Sequence, residues 1–188
     1  MKQRILALFL ALMMVRTVLS GCGDSSKNPD AEGNHGYTER IEKNEIVVGI
    51  AQDLDDSLDP HRMVAAGTKE VMFNVFEGLM KPTSTGDLIP AVADHYEVSE
   101  DKLTYTFTLR EGVKFHDGSE VTVGDVVYSI SRVAGFETGV PLVSTFSAVE
   151  SVEAIDEKTV VVKTNEPYLE FLAFLNCAII PEGNVPAE

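Results

Sequence analysis

The residues that could do chemistry are few and scattered. Three carboxylates crowd the polar loop Gln52-Asp53-Leu54-Asp55-Asp56-Ser57, which ends in Leu58-Asp59-Pro60. His116 precedes Asp117 and Gly118, an order that suits either a base with its orienting acid or a capped turn. Adjacent residues on a tight turn seldom converge on one substrate, so the turn is the stronger expectation. His35, His61, His95 and His116 never stand four residues apart, and no HExxH, GxSxG or glycine-rich phosphate loop occurs. Cys22 and Cys177 lie far apart and form neither a disulfide framework nor a metal cluster. Cys177 sits in the apolar run Cys177-Ala178-Ile179-Ile180 and reads as packing. No pair of carboxylates stands in an apolar setting that would split its pKa values. The residues predict no catalytic centre, no metal site and no cofactor.

The elements that must position these residues follow from periodicity. Glu45-Ile46-Val47-Val48-Gly49-Ile50-Ala51 is short, apolar and β-branched, which predicts a strand buried on both faces. Ligands gather at the carboxyl ends of strands in open α/β sheets, so Asp53, Leu54, Asp55, Asp56 and Ser57 form a candidate cleft wall. The alternative is a plain acidic surface loop. Val71, Met72, Val75, Phe76, Leu79 and Met80 share one helical face, which predicts a helix over 68–80. Lys81 to Asp87 has turn chemistry. In Leu103 to Leu109 large apolar side chains alternate with threonines, the mark of a strand with one dry and one wet side. Ser99 to Lys102 turns it back on His95 to Val98, and Val113 to Phe115 is a further short strand. Thr122, with Asp125 three residues on, caps a helix that points Val123, Val126, Val127, Ile130 and Val133 inward and stops near Gly135. A loop over 135–147, a hairpin of 149–155 with 159–164, a helix over 168–175 and a buried strand over 177–180 complete the reading.

The N-terminus has the form of an address. Lys2 and Arg4 precede eleven apolar residues, Ile5 to Val15, too few to cross a hydrocarbon core of about 30 Å but suited to a secretory h-region. Leu19-Ser20-Gly21-Cys22 resembles the lipobox of bacterial lipoproteins, with Arg16 an unusual charge before it. The expected organisation is a signal peptide over 1–21, a lipidated flexible tether over 22–44 and a folded domain over 45–188. Gly23 to Asn44 almost lacks large apolar side chains; 22 such residues would span roughly 25 Å as a flexible chain.

Composition bounds the function. With 15 Lys and Arg against 30 Asp and Glu, the 188-residue chain carries a formal charge of −15 and has too little positive charge to neutralise phosphates. Nucleic acid is therefore excluded as a partner. The apolar share of 44% is that of a folded domain.

Several motifs occur in a telling order: Leu58-Asp59-Pro60, Val75-Phe76-Glu77-Gly78-Leu79, Ile89-Pro90-Ala91-Val92-Ala93, and Tyr96-Glu97-Val98-Ser99. After them come Thr104 to Gly118 (TYTFTLREGVKFHDG), Val121-Thr122 and Asp125-Val126-Val127-Tyr128-Ser129. From about Glu45 onward this succession resembles the family 5 solute-binding lipoproteins that serve ABC importers of oligopeptides, dipeptides and nickel. Tyr96 stands where the family usually has tryptophan. The resemblance implies a mixed α/β fold: part of a type II periplasmic-binding-protein architecture, with one strand of the first lobe plus an inserted subdomain and without the second lobe. It implies a binding protein and not an enzyme. Its partners would be a peptide ligand, the ABC permease and ATPase subunits, and the outer face of the bacterial cell membrane through lipid on Cys22. Asp53 to Ser57 would then contact ligand. Nickel is the alternative ligand, although His61 and Met63 stand isolated, whereas nickel favours converging donors. A secreted hydrolase using His116 with an acid, and a surface lipoprotein binding a protein through its acidic face, are the alternatives from other classes.

Overall fold

The computed structural model describes residues 47–51, 56–168 and 170–184. The stretches expected to be a signal peptide and a tether, with Cys22, lie outside the described residues, as do Asp53, Leu54 and Asp55. The regular elements among the described residues all belong to the unit Val48–Glu188.

Alternation of threonine with large apolar residues produces the central strand. β3 (Ala93–Val98) and β4 (Thr104–Leu109) pair antiparallel, with Tyr96 opposite Phe107 and Glu97 opposite Thr106. Their turn is closed by Asp101, which accepts from the Ser99 hydroxyl and the Leu103 amide, while Lys102 takes φ of 59°. β5 (Val149–Ala154) and β6 (Thr159–Thr164) form the second predicted hairpin, with the Asp156 carboxylate accepting from the Lys158 and Thr159 amides. β6 also pairs with β4, which gives an antiparallel sheet of order β3-β4-β6-β5. Tyr105, Phe107, Leu109, Val160 and Val162 line its buried face, and Thr104, Thr106 and Thr108 stay half-exposed on the other.

One amphipathic helix covers that buried face. α2 (Val123–Ala134) starts at a capping box in which Thr122 and Asp125 exchange side-chain to backbone bonds. It ends where Gly135 adopts φ of 72°, a left-handed stop that glycine allows cheaply. Val126, Ile130 and Val133 are fully buried beneath it. Each such side chain contributes about 1.5–3 kcal/mol of burial.

Three predicted elements differ in extent. The helix expected over 68–80 is the shorter α1 (Ala66–Met72); Leu79 and Met80 are buried by another route, with Met80 opening β1 (Met80–Pro82) against β2 (Leu88–Pro90). The chain leaves the helix and passes Gly78 so close to Leu175 that an added Cβ would lie 2.5 Å from the Leu175 carbonyl oxygen. The C-terminal helix is one turn, α3 (Phe171–Phe174), and Val113 to Phe115 contributes only a bridge between Lys114 and Glu120. A 3-10 helix (Ser144–Ala148) occupies the end of the expected loop and buries Phe146.

Two expected strands are absent as such. Val47 to Ile50 forms no strand and is exposed, because no strand of the described residues lies beside it to pair with its backbone. Ala178, Ile179 and Ile180 are buried but outside any sheet. Their backbone is satisfied one group at a time instead: the Ile179 amide donates to the Glu77 carbonyl at 2.9 Å and the Ile180 amide to the Ser129 hydroxyl at 2.9 Å.

Candidate functional site

The polar residues brought together are not the ones that stand together in sequence. Asp125, Ser129 and Arg132 recur at spacings of four and three, so they form a second stripe on α2 beside its apolar one. Each of them grips a distant piece of chain. Asp125 accepts from the Glu182 amide at 2.8 Å, and Ser129 bonds Ile180 through both its amide and its carbonyl. Arg132 reaches Asp59 with both terminal nitrogens, one of them 3.0 Å from Oδ1.

His61 completes this cluster. Its Nε2 lies 2.7 Å from the Ala178 carbonyl oxygen and its Nδ1 lies 2.7 Å from Arg132. A carbonyl only accepts and a guanidinium only donates, so the ring must be the neutral tautomer with hydrogen on Nε2. Burial pushes the imidazole below its ordinary value and the neighbouring guanidinium adds to this, against the opposing pull of the Ala178 bond and Asp59. At Asp59 burial works to raise the carboxyl, yet the Arg132 bond, the His61 amide and the nearby positive charge together hold it below the usual range. Asp59 itself is 1% exposed.

Of the five sequence-predicted contact residues, Asp56 and Ser57 are described. The Asp56 carboxylate accepts from the Ala65 and Val64 amides at 2.6 and 2.5 Å, and the Ala65 bond is the main reason its carboxyl sits low. The Ser57 hydroxyl accepts from the Asp59 amide at 3.1 Å. Both residues therefore shape the loop that joins the predicted cleft wall to the Asp59 cluster.

The other chemical candidates separate. His116 Nε2 lies 2.9 Å from the Val75 carbonyl oxygen, whereas Asp117 accepts from the amide and hydroxyl of Ser119, which is a capped turn and not a base with its orienter. Burial pushes the Cys177 thiol up to about 12, the state of an unreactive sulfur. Beside His61 a cavity of about 700 Å³ is bounded by Met72, Val133, Phe146, Phe174 and Cys177. Among the described residues no three His, Cys, Asp or Glu converge as a metal would require.

Arg132 and His61 were absent from the predicted site. The spacing of Asp125, Ser129 and Arg132 was the available signal, but a helix read for its apolar stripe gives no weight to a polar one.

A sheet roofed by one capped helix, which also holds distant chain segments through its polar stripe, presents no assembled reaction centre among the described residues. Residues 87–185 match the family model described as bacterial extracellular solute-binding proteins, family 5 Middle, and the chain belongs to that family. The glutathione-binding protein GsiB of Pectobacterium atrosepticum is 32% identical over 116 residues, which are 62% of this chain and 23% of that protein. The periplasmic murein peptide-binding protein MppA of Escherichia coli is 39% identical over 97 residues, 52% of this chain and 18% of that protein. Among solved structures, Haemophilus influenzae OppA in complex with RPPGFSPFR superposes with a TM-score of 0.60 at 28% identity, covering 67% of this chain and 28% of that one. The chain thus spans between 18% and 28% of the length of these three proteins. The fold is mixed α/β and corresponds to part of the periplasmic-binding-protein architecture. No helix among the described residues is long and apolar enough to cross a membrane.

Proposed function

We propose that this chain belongs to a lipid-anchored receptor that captures oligopeptides or dipeptides outside the membrane and delivers them to an ABC permease. The observation that carries this reading is the family match over residues 87–185. Peptide as the ligand class is supported by two structural relatives, OppA with RPPGFSPFR and Helicobacter pylori DppA with peptide STSA. In this reading residues 1–21 are a signal peptide, Cys22 carries the lipid, 22–44 is a tether and 45–188 begins the solute-binding domain. Asp53, Leu54, Asp55, Asp56 and Ser57 contact ligand at one wall of the cleft, and a second lobe closes over it. Extended peptide is held through its backbone, which tolerates varied side chains. The chain catalyses nothing; ATP used by other subunits drives transport.

Calorimetric titration of the complete gene product tests the ligand. A mixed peptide pool is expected to give saturable heat that Asp53→Ala and Asp55→Ala reduce, and nickel is expected to give none. Heat with nickel alone would transfer the reading to a metal carrier. Metabolic labelling with palmitate tests the anchor: wild type incorporates label and Cys22→Ala does not.

A further inference from the structure

The polar stripe of α2 does more than pack. The Asp59 carbonyl accepts from the Arg62 and Met63 amides at 2.9 and 3.0 Å, forming a tight turn directly after the Asp56–Ser57 loop. Two long-range ties pin that turn, Asp59 to Arg132 and His61 to the Ala178 carbonyl, and a third bond joins Arg132 to His61 within the same cluster. Only the neutral ring satisfies both His61 contacts. A second ring proton would turn Nδ1 into a donor facing the donor of Arg132 and set two cations 2.7 Å apart.

We propose that Asp59, His61 and Arg132 form an acid-released strap that positions the Asp56–Ala65 segment, with His61 and Arg132 acting as positioning residues for the adjoining ligand contacts. The consequence for ligand rests on the reading of Asp53 to Ser57 given above; the strap itself does not. Among the described residues, the following groups face it. On its own turn are Asp59 and Arg62, whose Nε lies 3.5 Å from Asp59 Oδ2. On α2 are Arg132 and Tyr128, which acts on Arg132 electrostatically. Lys69 of α1, Glu77 and Lys81 near β1, and Cys177 line the neighbouring cavity, with Glu77 and Lys81 paired to each other. Among the described residues Asp59 is the one carboxylate bonded into the cluster, and Arg132 already occupies both of its oxygens. Acid therefore loads positive charge onto His61 beside a guanidinium, and Asp59, the anion that partly offsets it, is already bonded to Arg132.

The test is hydrogen exchange on the complete, unliganded gene product, corrected for intrinsic rates, between about pH 7.5 and about pH 5. The Arg62 and Met63 amides are expected to lose about tenfold in protection toward acid as the strap opens locally. His61→Gln keeps a donor for Ala178 and an acceptor for Arg132 but does not titrate, so its protection is expected to stay flat. Unchanged protection in wild type, or an equal loss in His61→Gln, would overturn the proposal. Nitrogen chemical shifts of the wild-type His61 ring give a second reading that needs no variant. Hydrogen on Nε2 at neutral pH supports the strap, and hydrogen on Nδ1 overturns it. Because exchange is read without ligand, a product that binds no peptide yet shows this pattern refutes the ligand reading and supports the strap.

Discussion

Arg132 and Asp59 are the charged pair whose removal should be felt most. The Asp59 side chain is 1% exposed and that of Arg132 is 12% exposed, so truncating either strands a charge away from water. Arg132→Met is expected to lower stability by about 3 kcal/mol in urea denaturation, whereas Lys158→Met, whose partner Glu111 is exposed, should change it little. Stability also carries a pH signature. His61 and Asp59 both have folded values below their ordinary ones of 6.5 and 3.8. The unfolded chain therefore takes up protons first, so stability is complete above about pH 6.5 and declines as the pH falls below it, with a second decline below about pH 4. Chemical denaturation across this range checks the sign; greater stability at pH 5 than at pH 7 would contradict it. Little of this cluster was legible in the sequence. Asp59 was visible only within Leu-Asp-Pro and His61 only as an isolated imidazole, because their partner Arg132 lies 73 and 71 residues away on another element. Asp56 and Ser57 were legible as a polar loop, but their caps on Ala65, Val64 and Asp59 depend on a turn that no local period announces.

At the scale of elements, α2 is defined at both ends by side-chain chemistry. Thr122→Ala removes the acceptor for the Asp125 amide and is expected to cost about 1 kcal/mol. Gly135→Ala should cost more, because the left-handed backbone disfavours a side chain and the added carbon would lie 2.1 Å from the Val140 carbonyl oxygen. Thermal unfolding of the two variants checks the order. Strongly periodic elements were legible for a physical reason: β4, β6 and α2 each bury one face, and that face imposes a period of two or 3.6 on the sequence, while β3 and β5 were legible through the turns that pair them with β4 and β6. Short elements were not. In the stretch from Thr68 to Met80 the apolar residues are spaced like one helix, yet α1 stops at Met72 and Gly78 lets the following chain meet Leu175. The run Cys177 to Ile180 is as apolar as a strand, but its bonds go to Glu77, Ser129 and His61.

At the scale of the whole molecule, the described fold corresponds to part of a larger architecture, 28% of the length of OppA. Val47 and Val48 are 87% and 73% exposed, an apolar segment with no strand of the described residues beside it. Recombinant 45–188 is expected to self-associate through such surface, which sedimentation velocity reads directly; a monodisperse, cooperatively melting monomer would contradict this. Under the proposed function, the complete protein captures peptide and leaves it intact. Native mass spectrometry of the complete gene product, incubated with an equimolar pool of short peptides, tests it most directly. The expected result is a complex whose added mass equals that of one unaltered peptide and disappears on denaturation. Peptide cleavage products, or a protein that retains none of the pool, would contradict it.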